Sequence, residues 1–439
     1  MTITDNSRVD LLDPDVATDV IEYEVSWPDQ FGHPLGKRLP RTSFDAALRD
    51  GVTFCDGALA WDVVADVQQG VTFTNWETGY PDALAHPDLD TLRPLPWRPG
   101  VAHVIADVTD RHGIPLAASP RQVLRRVIDQ LAQRGFTASV GIELEFYLLG
   151  ADGQPLQDSA HCYSLDKVNQ ADPALSQIID QLRDFTPIEA VGSEYGPSQF
   201  EVNLHHTDAL TTADNAFRFR YGLRTLARQH GLLATFMAKP FAGVSGSSAH
   251  LHVSLWRDGK PVFATIDGNE PPLARHAIAG LLAHLAGIAV YGAPTVNSYK
   301  RYEAGSFAPI SPTWSGDNRT AAVRSLTEAP AATRIEVRTP ASDANPYWAI
   351  AATLAAVIAG IDAAAEPPGK GTGNLYNGAE PALPTTLVDA VTAARRDTVI
   401  AEILGSDPAY DYTALALGEW HAYTREVTTW ERDRYLTRI

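Results

Sequence analysis

The chain has 439 residues, 45% hydrophobic and 20% charged, enough for two domains around a large core. Its formal net charge of −18 excludes nucleic acid and anionic membranes as partners, because both require basic patches. Two cysteines, Cys55 and Cys162, are too few for a disulfide framework, and neither has a zinc-like spacing.

The first residues, MTITDNSRVD, carry neither the basic nor the apolar part of a signal peptide, and residues 1–15 read as a disordered polar tail. With the cysteine usage, this leads to the expectation of a cytoplasmic protein. Short strand-like runs follow at Val20–Trp27, Lys37–Pro40, Val52–Cys55 and Val101–Val108. They are cut by Pro, Gly and Asp, with Trp61, Trp76 and Trp97 in the loops, so residues 16–110 are expected to form a small mixed β domain. Ser119-Pro120 predicts a helix start, with serine as N-cap and proline in the first turn. Val123, Leu124, Val127, Ile128 and Leu131 form its apolar stripe, and Gly135 ends it. The domain boundary therefore falls near residues 108–118, leaving residues 111–439 as the larger domain.

Beyond it, strands alternate with helices predicted at Asp172–Phe185, Ala209–His230, Leu273–Tyr291 and Pro346–Ala365. Gly369–Gly373 reads as a flexible loop, and the chain from about Thr386 as helical. The most apolar stretches are Ala277–Ala293, which carries His284, and Ala349–Ile361, which is too short to span a bilayer. Both read as buried helices.

In Gly141-Ile-Glu-Leu-Glu-Phe-Tyr147, alternation puts Glu143 and Glu145 on one strand face and Ile142, Leu144 and Phe146 on the other. By itself this pattern also describes an edge strand whose acidic face looks into water. Similar patterns recur. Gln199, Glu201 and Asn203 share a face after the turn at Glu194; His250, His252 and Ser254 share another, after the small-residue loop from Gly246. Arg334, Glu336 and Arg338 alternate with Ile335 and Val337, and Asn297–Arg301 leads to Arg319 and Arg324. Each has an ordinary reading, a hydrogen-bonded histidine pair or a salt-bridge ladder. Together they concentrate more buried charge than a chain holds without cations and an anionic ligand. Carboxylates with one or two histidines suit Mg²⁺ or Mn²⁺, and arginines suit phosphate or carboxylate. No GxxxxGK[ST] or GxGxxG sequence is present. The residues by themselves point to a metal-dependent, ATP-using enzyme.

GIELEF, SEYGPSQFEVN, GSSAHLHVSL, NSYKR, GDNRTAAVR and RIEVRTPASDANPYWAIAA, in this order and spacing, closely resemble the glutamine synthetase family across residues 140–360. The resemblance implies an α+β chain: an N-terminal β-grasp domain and a larger α/β catalytic domain. It also implies ATP and two or more Mg²⁺ or Mn²⁺ ions per site. The active sites would lie between subunits of a homo-oligomer, a dodecamer of two hexameric rings. Carried over by position, Glu145, Glu194 and Glu201 would hold one metal, and Glu143, His250 and Glu336 the other. His252, Ser254, Arg324 and Arg334 match nucleotide and phosphate contacts, and Arg319 the arginine that meets the transferred phosphoryl group. Arg301 and Arg338, beside Gly246, match the residues binding the glutamate carboxylate. Every metal ligand is present, which argues against a non-catalytic ring scaffold.

One position departs. Ammonia-using members carry a glutamate in a Gly-Tyr-Glu-Ala-Pro flap; here Gly305-Ser-Phe-Ala-Pro309 puts Phe307 there. Asp56, followed by Gly57, matches the other acidic residue of the ammonium pocket, contributed by a neighbouring subunit. Phenylalanine can neither hold ammonium nor take its proton. The resemblance therefore implies a ligase of the γ-glutamyl-amine branch, joining glutamate to a small primary amine such as a polyamine, ethanolamine, alkylamine or aniline. A glutamine synthetase using ammonia is the alternative. Asn374-Leu-Tyr376 resembles a segment adenylylated in some members, but Asn377-Gly-Ala379 departs from that pattern, so Tyr376 reads as an ordinary loop tyrosine.

Overall fold

A computed structural model describes residues 20–265, 269–329, 332–377 and 383–439. The expected tail at residues 1–15 and the positions 378–379 after Tyr376 lie outside the described residues.

The N-terminal part is a mixed sheet. Its strands are β1 (Glu22–Pro28), β2 (Pro34–Pro40), β3 (Val52–Cys55), β4 (Asp82–Pro87), β5 (Arg93–Pro94) and β6 (Val101–Asp110). The order is β2-β1-β6-β4-β3, with β5 on β6; only the β1–β6 pair is parallel. Helix α1 (Arg41–Asp50) buries Phe44 and Ala47 against it, and Phe44 stacks on Tyr23 at 3.8 Å between centroids. Each strand-like run expected from the sequence coincides with one of these strands, except that Val20 and Ile21 precede β1.

Helix α2 (Pro120–Gln133) starts where predicted and buries Val123, Leu124, Val127 and Leu131. Ser119, expected as its cap, makes no side-chain capping bond. Proline at the first helical position supplies the φ a helix start needs, and the arginine after it anchors this end instead. Arg121, 1% exposed, pairs with Asp88 at 2.7 Å, Asp107 at 2.6 Å and Asp214 at 2.9 Å, joining the N-terminal sheet to the helices of the larger unit. Removing one partner of a buried ion cluster strands the others, so Arg121→Ala is expected to cost about 3–5 kcal/mol. A melting temperature within 2 °C of the parent would contradict this.

The larger sheet comprises β7 (Thr137–Gly150), β8 (Ile188–Ser193), β9 (Gln199–Asp208), β10 (Leu232–Thr235), β11 (Ala249–Arg257), β12 (Lys260–Pro261), β13 (Trp314–Ser315), β14 (Val323–Leu326) and β15 (Arg334–Val337). Its order is β13-β14-β15-β11-β7-β9-β8, with β10 on β7 and β12 on β11. One face packs on helices. The helices after α2 are α3 (Leu165–Gln170), α4 (Ala174–Arg183), α5 (Ala209–Gln229), α6 (Pro272–Gly292), α7 (Pro346–Asp362), α8 (Leu387–Arg396), α9 (Thr398–Leu404), α10 (Ser406–Arg425) and α11 (Thr429–Tyr435); α2 and α5 contact β7 directly. The predicted helices are all present, with ends moved by a few residues. Helix α6 is long and apolar enough to cross a membrane, yet it packs on α7. A Cβ on Gly280 would meet the Ala356 carbonyl at 2.2 Å, so glycine is what lets the two backbones approach. The segment 369–373, expected to be flexible, is tied down: Gly371 N donates to Trp314 O at 2.9 Å and Asn318 Nδ2 to Gly373 O at 2.9 Å.

Candidate active site

The site is built on the other face of the large sheet. Alternation along β7 buries Ile142, Leu144 and Phe146 against the helices and turns Glu143 and Glu145 outward. Antiparallel register then chooses their neighbours. Glu143 lies opposite His250 on β11 and Asn203 on β9; Glu145 lies opposite Glu201. Further along, His252 lies opposite Glu336 on β15, and Glu336 opposite Arg324 on β14. The result is a cleft of about 500 Å³.

Four acidic chains lie under its floor, and their electrostatics differ. Burial, then the Glu194 charge, pushes Glu145 up to about 8, against an amide hydrogen bond from Ser248 at 2.9 Å. Burial pushes Glu201 up to about 9, and Glu143, Glu145 and Glu194 add like charge. Burial also raises Glu194. Glu143 goes the other way: burial would raise it, but hydrogen bonds and charge from His250 and His252 hold it far below the carboxylate range. His250 Nδ1 lies 3.2 Å from Glu143 Oε2, and His252 Nε2 lies 3.1 Å from Oε1. Burial, then Arg338, pushes His250 down, which favours the neutral, ligating imidazole.

This donor set fits divalent metal. Ligand atoms of Glu143, Glu201 and His250 lie within 4.8 Å of one another, as do those of Glu143, His252 and Glu336. Both groups share Glu143, which lies against both histidines. That division differs from the two triads implied by resemblance. Oxygen-rich sets with one imidazole suit Mg²⁺ or Mn²⁺.

Glu145 and Glu201 have folded values above the unfolded one of about 4.5, so their contribution to stability is full below that pH and is lost as pH rises through 8 to 9. A cation that replaces the protons should reverse this loss. Saturating Mn²⁺ is expected to raise the melting temperature by about 5 °C or more near pH 8.5 and by less near pH 6. Equal gains at both pH values in a thermal-shift titration would contradict it.

Arginines line the opposite wall. Glu336, 1% exposed, accepts from Arg338 Nη1 at 2.6 Å and from Arg324, which also binds Asp317. Arg334 Nε donates to His252 Nδ1 at 3.1 Å. Arg301 Nη1 donates to Ser248 Oγ at 3.0 Å. A Cβ on Gly246 would meet Arg301 Cγ and the Ala238 carbonyl, each at 2.6 Å, so only glycine lets this arginine cross. Arg319 is exposed at the rim, 3.7 Å from Asp317. Phe307 lies at the mouth, with φ 59°. The left-handed conformation costs a bulky residue about 1–2 kcal/mol, the kind of strain that gathers at functional loops.

Two of the residues singled out from the sequence lie elsewhere. Ser254 lines an adjoining cavity of about 450 Å³ that shares Glu143, His252 and Arg334 with the cleft. Asp56 opens the 3-10 turn that follows β3, is 5% exposed, and accepts from Thr74 Oγ1 at 2.5 Å. Burial raises it, opposed by that hydrogen bond. Tyr163, Tyr195, Ser245 and Ser248 also line the cleft, and no alternation or spacing in the sequence marks them for it. Gln199 has a part here as well: its Nε2 donates to Glu145 Oε2 at 3.1 Å and Gly246 O at 2.9 Å. Its shared face with Glu201 was the available signal. Tyr376 is more than a loop residue: its hydroxyl donates to Ala308 O at 3.2 Å, beside Phe307.

Comparison with known proteins places this geometry. The family described as glutamine synthetase, catalytic domain, matches residues 117–435. The glutamate–isopropylamine ligase of a Pseudomonas species is 35% identical over 91% of this chain and 92% of its own. The gamma-glutamylethanolamide synthetase of Streptomyces coelicolor is 34% identical, over 96% of this chain and 94% of its own. Among solved structures, a GmaS–ADP complex superposes with a TM-score of 0.85 at 32% identity, covering 95% of this chain and 97% of that one. With the cleft and these similarities together, the chain belongs to the glutamine synthetase family of ligases.

Proposed function

We propose that this enzyme joins the γ-carboxylate of glutamate to a small primary amine, using ATP to form γ-glutamyl phosphate and releasing ADP and phosphate. The observation that carries the amine reading is Phe307, an exposed apolar residue at the mouth of a cleft whose floor and walls carry carboxylates, histidines and arginines. The activities named for the Pseudomonas and Streptomyces relatives support it.

A carboxylate is a poor acylating agent, because its leaving group would be oxide. Phosphorylation replaces that with phosphate. In this reading Glu145, Glu194 and Glu201 hold one Mg²⁺ or Mn²⁺ and Glu143, His250 and Glu336 the other; such ions draw charge from phosphate oxygens when bound. Arg324, Arg334, His252 and Ser254 hold the nucleotide and its phosphates. Arg319 meets the transferred phosphoryl group, where its forked donors oppose developing charge. Arg301 and Arg338, beside Gly246, bind the glutamate carboxylate. The amine then attacks as the free base. A buried carboxylate with a raised pKa is a suitable proton acceptor, and Asp56 supplies one. Since Asp56 lies outside its own chain's cleft, the reading requires a neighbouring subunit. It carries with it the β-grasp unit over residues 16–110, the catalytic unit over 111–439, and a cytoplasmic dodecamer of two hexameric rings.

The test is phosphate release and product mass spectrometry with glutamate, ATP, Mn²⁺ and an amine panel including ammonia. A γ-glutamyl amide with kcat/KM well above that for ammonia is expected. Turnover as fast with ammonia as with any amine would leave a glutamine synthetase.

A further inference from the structure

Tyr195 lies in the turn before β9, where the sequence shows only a residue between Glu194 and Gly196. In the structure its ring stacks on Phe307, with centroids 5.5 Å apart and planes at 29°. The two residues are 55% and 40% exposed and both line the cleft, so the pair presents aromatic surface to it rather than filling a core. Both are held by groups that border the reacting end. Arg338 Nη2 donates to Phe307 O at 3.3 Å, the Tyr195 amide to Glu194 Oε2 at 3.2 Å, and the Gly196 amide to Gln199 Oε1 at 2.7 Å.

Away from the carboxylate floor, on the outer side of Phe307, the charge beside the pair is mostly positive. Arg338 touches the Phe307 backbone, and the open depression on the far side of Phe307 carries Arg319 and Lys370. Asp317, also there, is already paired with Arg324. Glu194, the carboxylate next to Tyr195, is a metal ligand in the proposed function. Among the described residues on that side the carboxylates are already paired, so a second ammonium on the amine would meet guanidinium charge, whereas a hydrocarbon chain against the exposed surface of the ring pair loses only water.

We propose that Tyr195 is a specificity-determining residue: with Phe307 it forms the wall on which the hydrocarbon body of a primary monoamine lies, and it selects such amines over diamines. The inference rests on the amine-ligase reading and narrows its substrate class.

The test compares the Mn²⁺-loaded parent, Tyr195→Ala and Tyr195→Phe at saturating glutamate and ATP. The substrates are methylamine, ethylamine, propylamine, 1,3-diaminopropane and ammonia. In the parent, kcat/KM should climb two- to fourfold per methylene, up to about the limit for full burial, and 1,3-diaminopropane should fall at least tenfold below propylamine. Tyr195→Ala should reduce the propylamine-to-methylamine ratio about tenfold, through KM for the amine rather than kcat. Tyr195→Phe, which keeps the ring, should keep the ratio. An unchanged ratio in Tyr195→Ala, or a diamine as good as propylamine, overturns the proposal while leaving an enzyme that still prefers amines to ammonia. A parent that prefers ammonia overturns the amine-ligase reading itself.

Discussion

Phe307→Glu is expected to turn the enzyme toward ammonia, raising the ratio of kcat/KM for ammonia to that for propylamine roughly 100-fold. A hydrogen bond to a charged group contributes about 1.5–3 kcal/mol, and 1.4 kcal/mol is a factor of ten. Glutamate would return a carboxylate to the mouth of the cleft and remove the ring that stacks on Tyr195, so both terms of the ratio move the same way. The substitution should be tolerated. Phe307 is 40% exposed, outside the hydrophobic core, and its carbonyl remains available to Arg338. Steady-state phosphate release with the two nucleophiles decides it; a ratio within threefold of the parent would show that this position does not choose the amine.

The second large effect separates function from stability. Glu201→Gln should lower kcat by about 10³-fold, since it removes a ligand oxygen's charge from the metal-binding floor. The same change should stabilise the metal-free protein. Burial first, then Glu143, Glu145 and Glu194, makes the charged form of Glu201 unfavourable, and it sits opposite Glu145 in the sheet. Glutamine keeps the size and drops the charge. Near pH 8 without metal, the variant should melt a few degrees above the parent, and added Mn²⁺ should stabilise it less than the parent. Thermal shift with and without Mn²⁺ tests this; a variant less stable than the parent without metal would mean that Glu201 is held by contacts that outweigh the repulsion.

Glu201 and Phe307 differ in how legible they are in the sequence. Glu201 announced itself: it alternates with Phe200 and Val202 in a strand, and both of those are buried as the pattern requires. Phe307 was legible only against a family pattern, because a phenylalanine in a Gly/Ser loop has no local signature of a binding role. Tyr195 and Gln199 were missed for a different reason. Their significance lies in contacts with Phe307 and with Glu145, residues 112 and 54 positions away along the chain, and no periodicity encodes such pairs. Ser119 shows the converse error, a residue type with a strong local preference whose hydroxyl makes no capping bond in the structure.

The sequence by itself determined which residues share a face, because a strand's side chains alternate with period two and its apolar half must be buried. It also determined the chemistry of the donors: carboxylates, imidazoles and guanidiniums are hard-metal and phosphate ligands wherever they stand. Only the tertiary structure decided which faces meet. Register across β9, β7, β11, β15 and β14 puts Glu201 beside Glu145, His250 beside Glu143, and Arg324 beside Glu336. Those pairings are non-local, fixed by the packing of the opposite apolar face on the helices. They turn separate charged strands into one cleft with Phe307 at its mouth, and they leave Asp56 in the turn after β3, outside it.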